Sequence, residues 1–234
     1  MLQLCANGVR TRDEHPAVPL TPPAVAADAV AAAALGVTDL HVHPKGPDGA
    51  DTVDAETVGA FVRAVRDAVP SIGVGVTTGE WIEAGPGGRA EAISRWTIRP
   101  DHASVNWHEA AADELAAALL ERGVAVHAGL FTDSDGVDRF LESPFADRVQ
   151  RVLVEVTELD PDAGRQSAEA LLARLKHLDT PILLHGQDAT CWPTFSRAVE
   201  LGLDARIGLE DTLVLPDGEP APNNVELVRY ALER

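Results

Sequence analysis

The feature that most constrains the fold of this chain is a regular alternation of two kinds of segment. Short β-rich runs alternate with alanine-rich amphipathic stretches along the 234 residues. Two of the runs, 152–154 and 182–184, are apolar at consecutive positions. Strands buried on both faces have this pattern, because helices cover a parallel sheet from both sides. The predicted strands are 2–6, 38–43, 71–77, 102–106, 125–130, 152–155, 182–185 and 206–210, and the predicted helices begin near Thr21, Asp54, Gly87, Ala110, Thr132, Gln166, Thr190 and Asn223.

Eight strand–helix units in a chain of this length predict a (β/α)8 barrel of the TIM type. No linker, low-complexity tract or change in composition divides the chain, so we expect a single domain over residues 1–234. A doubly wound open sheet is the alternative. It is disfavoured because no Gly-x-Gly-x-x-Gly fingerprint follows the first strand.

Composition and charge exclude several classes of protein. The formal net charge is −18, with 19 basic and 37 acidic residues, and it disfavours partners such as nucleic acids and anionic membranes. No apolar run is long enough to span a bilayer, and the first residues do not resemble a signal peptide. The two cysteines, Cys5 and Cys191, do not form a disulfide framework. We therefore expect a cytoplasmic protein.

Polar or ionisable residues occur at the C-terminal end of every predicted strand. Barrel enzymes place their active sites at this face, where each strand runs into its loop. A polar group at all eight ends therefore indicates a site. These residues are Asn7, His41, His43, Thr77, Thr78, Ser104, Asn106, His127, Glu155, His185, Glu210 and Asp211.

The sharpest motif is the pair His41 and His43 in the segment 39–44. Residues at positions i and i+2 of a strand point to the same side, about 6.5 Å apart. Two imidazoles at this spacing can bind one metal ion when carboxylates approach from other strands. The alternative is a pair of hydrogen-bonded histidines at the barrel mouth.

The second motif is the segment 206–211, in which Arg206, Gly208 and Glu210 are expected on one face of the last strand. A buried arginine requires a partner, which Glu210 or a substrate carboxylate can supply. The functional interpretation assigns Glu210 to the metal and Asp211 to proton transfer. A structural ion pair at the end of the barrel is the alternative.

Weaker signals lie at four other strand ends. Thr77, Thr78 and Gly79 combine hydroxyl groups with a permissive backbone that suits an anionic group. His127 and His185 are lone histidines, for which functional and structural roles are equally expected. Glu155 ends an apolar strand, where an unpaired carboxylate is unfavourable, so it is either functional or paired.

The sequence resembles the β-keto acid cleavage enzymes, the family of the 3-keto-5-aminohexanoate cleavage enzyme. The resemblance runs nearly end to end, and the paired histidines together with the Arg-to-Glu-Asp motif are its most specific parts. The matching segments are 6–8, 15–22, 40–43, 75–79, 103–106, 126–130, 184–186, 206–212 and 223–228.

The resemblance implies a zinc-dependent transferase that forms homo-oligomers and binds one Zn²⁺ per subunit. The family converts a β-keto acid and acetyl-CoA into acetoacetate and a new acyl-CoA. His41, His43 and Glu210 then correspond to the zinc ligands, and Asp211 to the base, with Arg206 as its partner. The other expected catalytic residues are Thr77, as a substrate-binding hydroxyl, and His127, as the next candidate base. The expected substrate-binding residues are Asn7, Thr78, Gly79, Ser104, Asn106, Glu155 and His185.

The chain departs from the family pattern at three places. His127 stands where many relatives carry glutamate, Arg10 follows the Asn7–Gly8 pair where an aminated substrate requires an acid, and the segment 44–47 replaces the commoner Arg-Asp. Lys45 in that segment adds a third potential cation. Three cations around one mouth predict a substrate with a neutral or anionic tail.

Two other classes of function remain as alternatives. Amidohydrolase-type hydrolases also use a His-x-His motif and a last-strand aspartate, but their motif ends the first strand, whereas here it ends the second. A barrel that binds metal or a small molecule without catalysis is the other alternative.

Overall fold

The computed structural model describes residues 1–85 and 87–233 and has the fold of a (β/α)8 TIM barrel. Pro86 and Arg234, which the predicted domain includes, lie outside the described residues. The strands are β1 (Leu2–Cys5), β2 (Asp39–Val42), β3 (Gly73–Val76), β4 (His102–Asn106), β5 (Ala125–Phe131), β6 (Arg151–Val156), β7 (Ile182–Gly186) and β8 (Ala205–Ile207). The helices are α1 (Pro22–Ala33), α2 (Ala55–Ala68), α3 (Gly88–Ser94), α4 (Ala112–Glu121), α5 (Gly136–Glu142), α6 (Pro161–Leu175), α7 (Cys191–Leu201) and α8 (Asn224–Leu232), with a 3-10 helix at Asp188–Thr190.

The sheet closes on itself, which excludes the alternative of a doubly wound open sheet. Neighbouring strands pair in parallel, and β1 pairs with both β2 and β8. A parallel bridge between Leu183 and Asp204 joins β7 to β8. The C-terminal ends of all eight strands therefore surround one opening, as the barrel prediction requires. Within the described part of the chain, no helix is long and apolar enough to cross a bilayer.

The residues at which the helices begin agree better with N-capping residues than with starts predicted from hydrophobic periodicity. Asp54 caps α2 by accepting the amides of Glu56 and Thr57, as the acidic start predicts. The predicted start of α6 near Gln166 is wrong, because Asp160 caps the helix and Pro161 occupies its first position. The predicted start of α5 near Thr132 is also too early, since the helix begins at Gly136.

The lower half of the barrel interior contains a buried polar network, not only apolar side chains. Asp39 accepts hydrogen bonds from His102 Nε2 at 2.9 Å and from Gln3 Nε2 at 2.8 Å. The ring of His127 stacks on that of His102 with centroids 3.8 Å apart, and its Nε2 lies 2.9 Å from Gln150 Oε1. The expectation that His127 ends its strand is wrong, because β5 continues to Phe131 and His127 is its third residue.

Candidate active site

A cavity of about 410 Å³ opens at the C-terminal end of the barrel. It lies where the strand-end residues predict a site. Of the predicted residues, those in its wall are His41, His43, Thr77, Ser104, Asn106, Glu155, Arg206 and Glu210. Arg10, on the loop after β1, also lines the cavity.

Two histidines and a glutamate meet on one side of this cavity. Nε2 of His41 and Nε2 of His43 lie 3.9 Å and 3.7 Å from Oε1 of Glu210. The three ligand atoms are within 4.8 Å of one another. Burial lowers the pKa of His41 well below its usual range and so favours the neutral imidazole that a metal binds.

The residues of this cluster fit a divalent metal ion. Glu210 Oε2 is buried and has no hydrogen-bond partner among the described residues, so it has a free lone pair. Three protein ligands of this type leave an open position on a tetrahedral ion. Cys5 also lies within 4.8 Å of Glu210 and Asp211. However, burial raises the pKa of its thiol well above the usual value and disfavours the thiolate that a metal requires.

The sequence gives little indication of the residue that orients His43. Asp51 Oδ2 lies 2.7 Å from His43 Nδ1 and accepts the indole N–H of Trp81 at 2.8 Å. The other oxygen of Asp51 binds the Lys45 ammonium. A carboxylate on Nδ1 fixes the tautomer and directs Nε2 toward a metal. These hydrogen bonds outweigh the effect of burial and lower the pKa of Asp51 to about 2.

Four of the predicted substrate-binding residues do not line the cavity: Asn7, Thr78, Gly79 and His185. Asn7 is buried behind His43, where its side chain bonds both the amide and the carbonyl of that residue. Thr78 donates to the Ser104 carbonyl at 2.7 Å. Gly79 donates its amide to Oγ1 of Thr77 at 3.3 Å. Of the two neighbouring threonines, Thr77 lies in the cavity wall.

A turn brings Glu210 and Asp211 back onto Arg206. The expected strand face of Arg206, Gly208 and Glu210 is wrong, because β8 ends at Ile207. Arg206 Nη2 lies 3.0 Å from Glu210 Oε1 and 2.7 Å from Asp211 Oδ1, and its Nε donates to the same Asp211 oxygen at 3.0 Å. Gly208 is required at the turn because a Cβ there would overlap the carbonyl of Cys5.

Asp211 is buried behind the cavity wall, and its second oxygen has no hydrogen-bond partner among the described residues. Burial raises the pKa of Asp211 to about 7, although the charge of Arg206 opposes that rise. Glu155 lies in the cavity wall, and burial raises the pKa of its carboxyl group to about 7 as well, against the opposing charge of Arg206. His185 lies between these two carboxyl groups. Burial lowers its pKa well below the usual value.

The three cations expected around the mouth are not available there as free charges. Lys45 is buried, with its ammonium on Asp51 and, at 2.6 Å, on the Gly8 carbonyl. Arg10 pairs with Asp188 at 2.5 Å and with Glu14 at 3.2 Å. His127 belongs to the lower network. The charge argument for an anionic tail therefore does not hold.

Comparison with known proteins gives a family match over nearly the whole chain. The profile of the beta-keto acid cleavage enzymes matches residues 1–233. No curated protein matches the chain significantly.

Several solved structures have a similar barrel. ObcA, solved as a ternary complex with a C4-CoA adduct and oxalate and as a binary complex with oxaloacetate, is 19% identical with a TM-score of 0.69 in both cases. The alignment covers 93% of this chain and 63% of ObcA, so the chain spans less than two thirds of that protein. The 3-dehydroquinate dehydratase from Geobacillus kaustophilus is 12% identical with a TM-score of 0.66, over 99% of this chain and 89% of that enzyme. At these identities the similarity establishes the fold.

Proposed function

The chain belongs to the beta-keto acid cleavage enzyme family, and we propose that it is a zinc-dependent enzyme converting a β-keto acid and acetyl-CoA into acetoacetate and a new acyl-CoA. The observation that carries this proposal is that two unlike groups lie next to each other at the mouth of the barrel, one in the cavity wall and one behind it. A His–His–Glu cluster suited to a metal lies beside a buried carboxylate that an arginine holds in place.

The metal belongs on His41, His43 and Glu210, which supply two nitrogens and one carboxylate oxygen. Ligands of this kind suit zinc, although iron, manganese and cobalt accept them too. When bound, the ion supplies Lewis-acid polarisation of the keto acid's carbonyl oxygen.

Asp211 is the proposed base, and it removes the proton between the two carbonyl groups of the keto acid. Arg206 donates two hydrogen bonds to one oxygen of Asp211, and the other oxygen has no partner within the described residues, which is the arrangement that a proton acceptor needs. A pKa near the working pH suits such a group. The resulting carbon nucleophile attacks acetyl-CoA and displaces CoA. CoA then attacks the original ketone, and carbon–carbon cleavage releases acetoacetate, to which Asp211 returns the proton.

Polar groups of the cavity wall are the proposed partners of the carboxylate and carbonyl oxygens of the substrate. Thr77, Ser104 and Asn106 all face the cavity from the ends of two neighbouring strands. The tail of the substrate is proposed to be neutral and apolar. The supporting observation is that Phe131, Leu153 and other apolar side chains line the cavity, whereas Arg10 is already paired.

The experiment is an assay of the zinc-loaded protein with acetyl-CoA and chain-matched β-keto acids that end in an amino, a methyl or a carboxylate group. Formation of acetoacetate with consumption of acetyl-CoA, fastest for the methyl compound, is the expected result. Hydrolysis without CoA would instead indicate an amidohydrolase-type enzyme. Metal binding without turnover of any substrate would indicate a binding protein, and a clear preference for the amino compound would refute the assignment of the tail.

A further inference from the structure

Glu155 and His185 form a buried pair to which the proposed mechanism gives no role. The His185 side chain is 1% exposed, and neither ring nitrogen has a hydrogen-bond partner among residues 1–85 and 87–233. Its Nε2 lies 3.6 Å from Oε2 of Glu155, and its Nδ1 lies 4.0 Å from Oδ1 of Asp211. Buried polar atoms are usually hydrogen-bonded, and exceptions in a native protein require an explanation such as catalysis.

Glu155 reaches the same cavity as the proposed metal cluster but is separate from that cluster. Its side chain is 13% exposed and lies in the cavity wall, between the buried residues Val154 and Val156 of β6. Oε1 accepts a hydrogen bond from Gln187 Nε2 at 2.9 Å. In the described part of the chain, no lysine or arginine forms an ion pair with Glu155. The carboxyl group is therefore held in place by Gln187 and not by a direct ion pair with lysine or arginine.

We propose that Glu155 is a second acid–base group of this site, which exchanges a proton with the sulfur of CoA, and that His185 and Gln187 position it. When the acetyl C–S bond breaks, its electron pair stays on sulfur, which takes the proton from Glu155. When the sulfur later forms a bond to the ketone carbon, the thiol proton returns to Glu155. The exchange leaves no net change in protons, and this inference rests on the proposed function.

The surroundings of Glu155 suit a group that changes protonation state near neutral pH. Burial is the strongest influence and raises its pKa to about 7. The charge of Arg206 is second and lowers it. An acid–base group acts best when its pKa lies near the working pH. The charged and titratable groups near Glu155 come from β2, β5, β7 and β8 or the loops after them and are His43, Asp133, His185, Arg206, Glu210 and Asp211.

The first test compares Glu155→Gln with the wild type in the metal-loaded enzyme. Glutamine resembles the protonated acid in shape and charge, so it keeps the contact with Gln187 while losing the exchangeable proton. We expect kcat to fall by about 10²–10⁴-fold with little change in KM. Asp133→Asn is the matched control, because it removes one exposed negative charge near Glu155 and should keep full activity. A rise in KM with unchanged kcat would show that Glu155 only binds substrate, and would overturn the proposal.

The second test separates a positioning role of His185 from a merely structural one. Since neither ring nitrogen has a hydrogen-bond partner in the part of the chain that the structure describes, His185→Leu removes no hydrogen bond there, and we expect the fold to remain stable. Replacing the polar imidazole with leucine makes the surroundings of the Glu155 carboxyl group less polar, which disfavours its charged form and raises its pKa. The limb of the kcat–pH profile that belongs to Glu155 should therefore move to higher pH. An unmoved limb would contradict the assignment of His185.

A spectroscopic measurement tests this inference separately from the proposed function, because it does not require turnover of a substrate. Infrared difference spectra between wild type and Glu155→Gln, recorded on the metal-loaded protein from about pH 5 to about pH 9, report the protonation of this carboxyl group directly. A protonated-carboxyl band that disappears with a midpoint near neutral pH is expected even if no substrate turns over. A Glu155 that is ionised throughout would overturn the inference. If the wild type produces acetoacetate and Glu155→Gln stays within about threefold of it, the proposed function stands and the inference fails.

Discussion

The contribution of Asp51 to metal binding can be measured by the substitution Asp51→Asn. Asp51 Oδ2 lies 2.7 Å from Nδ1 of His43, and Asp51 also neutralises the buried ammonium of Lys45. Asparagine has nearly the same shape but carries no charge. The substitution therefore weakens the support of one proposed metal ligand. It also leaves a buried cation whose remaining partner among the described residues is the Gly8 carbonyl.

These two effects have different magnitudes and can be separated. Loss of such a supporting carboxylate typically lowers metal affinity about 10–100-fold, which is about 1.4–2.7 kcal/mol. Removing one partner of a buried ion pair costs about 3–5 kcal/mol of stability, or roughly 6–20 °C in Tm for a chain of this size. The double variant Lys45→Met with Asp51→Asn removes the unpaired cation. It should recover most of the stability while metal affinity stays low.

The assay is competition for Zn²⁺ against a chromophoric chelator, with thermal unfolding of the metal-free protein measured in parallel. Asp48→Asn provides the matched control, since Asp48 is an exposed acid of the same loop and does not contact either histidine. Zinc affinity of Asp51→Asn within about threefold of the wild type would refute the reasoning. So would recovery of affinity in the double variant, because the loss would then come from instability.

Three further predictions concern the metal ligands, the base and the turn after β8. His41→Ala combined with His43→Ala should abolish metal binding in elemental analysis while circular dichroism shows an intact fold, and stoichiometric metal in this variant would contradict the ligand assignment. Asp211→Asn should keep the metal and lose about 10²–10⁴-fold in kcat/KM, whereas a loss below about threefold would mean that another group takes the proton. Gly208→Ala should lower Tm by roughly 2–12 °C, from about 1–3 kcal/mol of overpacking against the Cys5 carbonyl, and an unchanged Tm would refute the close approach.

The sequence predicts the barrel well because β-rich runs alternate with amphipathic stretches along the whole chain. The apolar runs at 152–154 and 182–184 lie within β6 and β7 as expected. The sequence predicts less well how far along its strand a given residue lies. His127 was expected at the mouth because it is polar, but β5 carries its polar residue low in the barrel, where Asp39 and His102 provide partners. Polarity alone therefore does not show at which end of a buried strand a residue lies.

The residues that sequence reasoning missed act through tertiary contacts on loops. His41 and Glu210 are predictable because barrel closure brings the ends of β2 and β8 close to β1 from either side. Asp51 has no such constraint, since its position depends on a loop that folds back so that Lys45 and Asp51 form an isolated antiparallel bridge. The sequence predicts Lys45 as a free cation at the mouth. The same bridge instead holds Lys45 against Asp51. One loop conformation thus supplies the support for His43 and cancels a charge that bears on substrate choice, so both properties should change together in variants that break the pairing of Lys45 with Asp51.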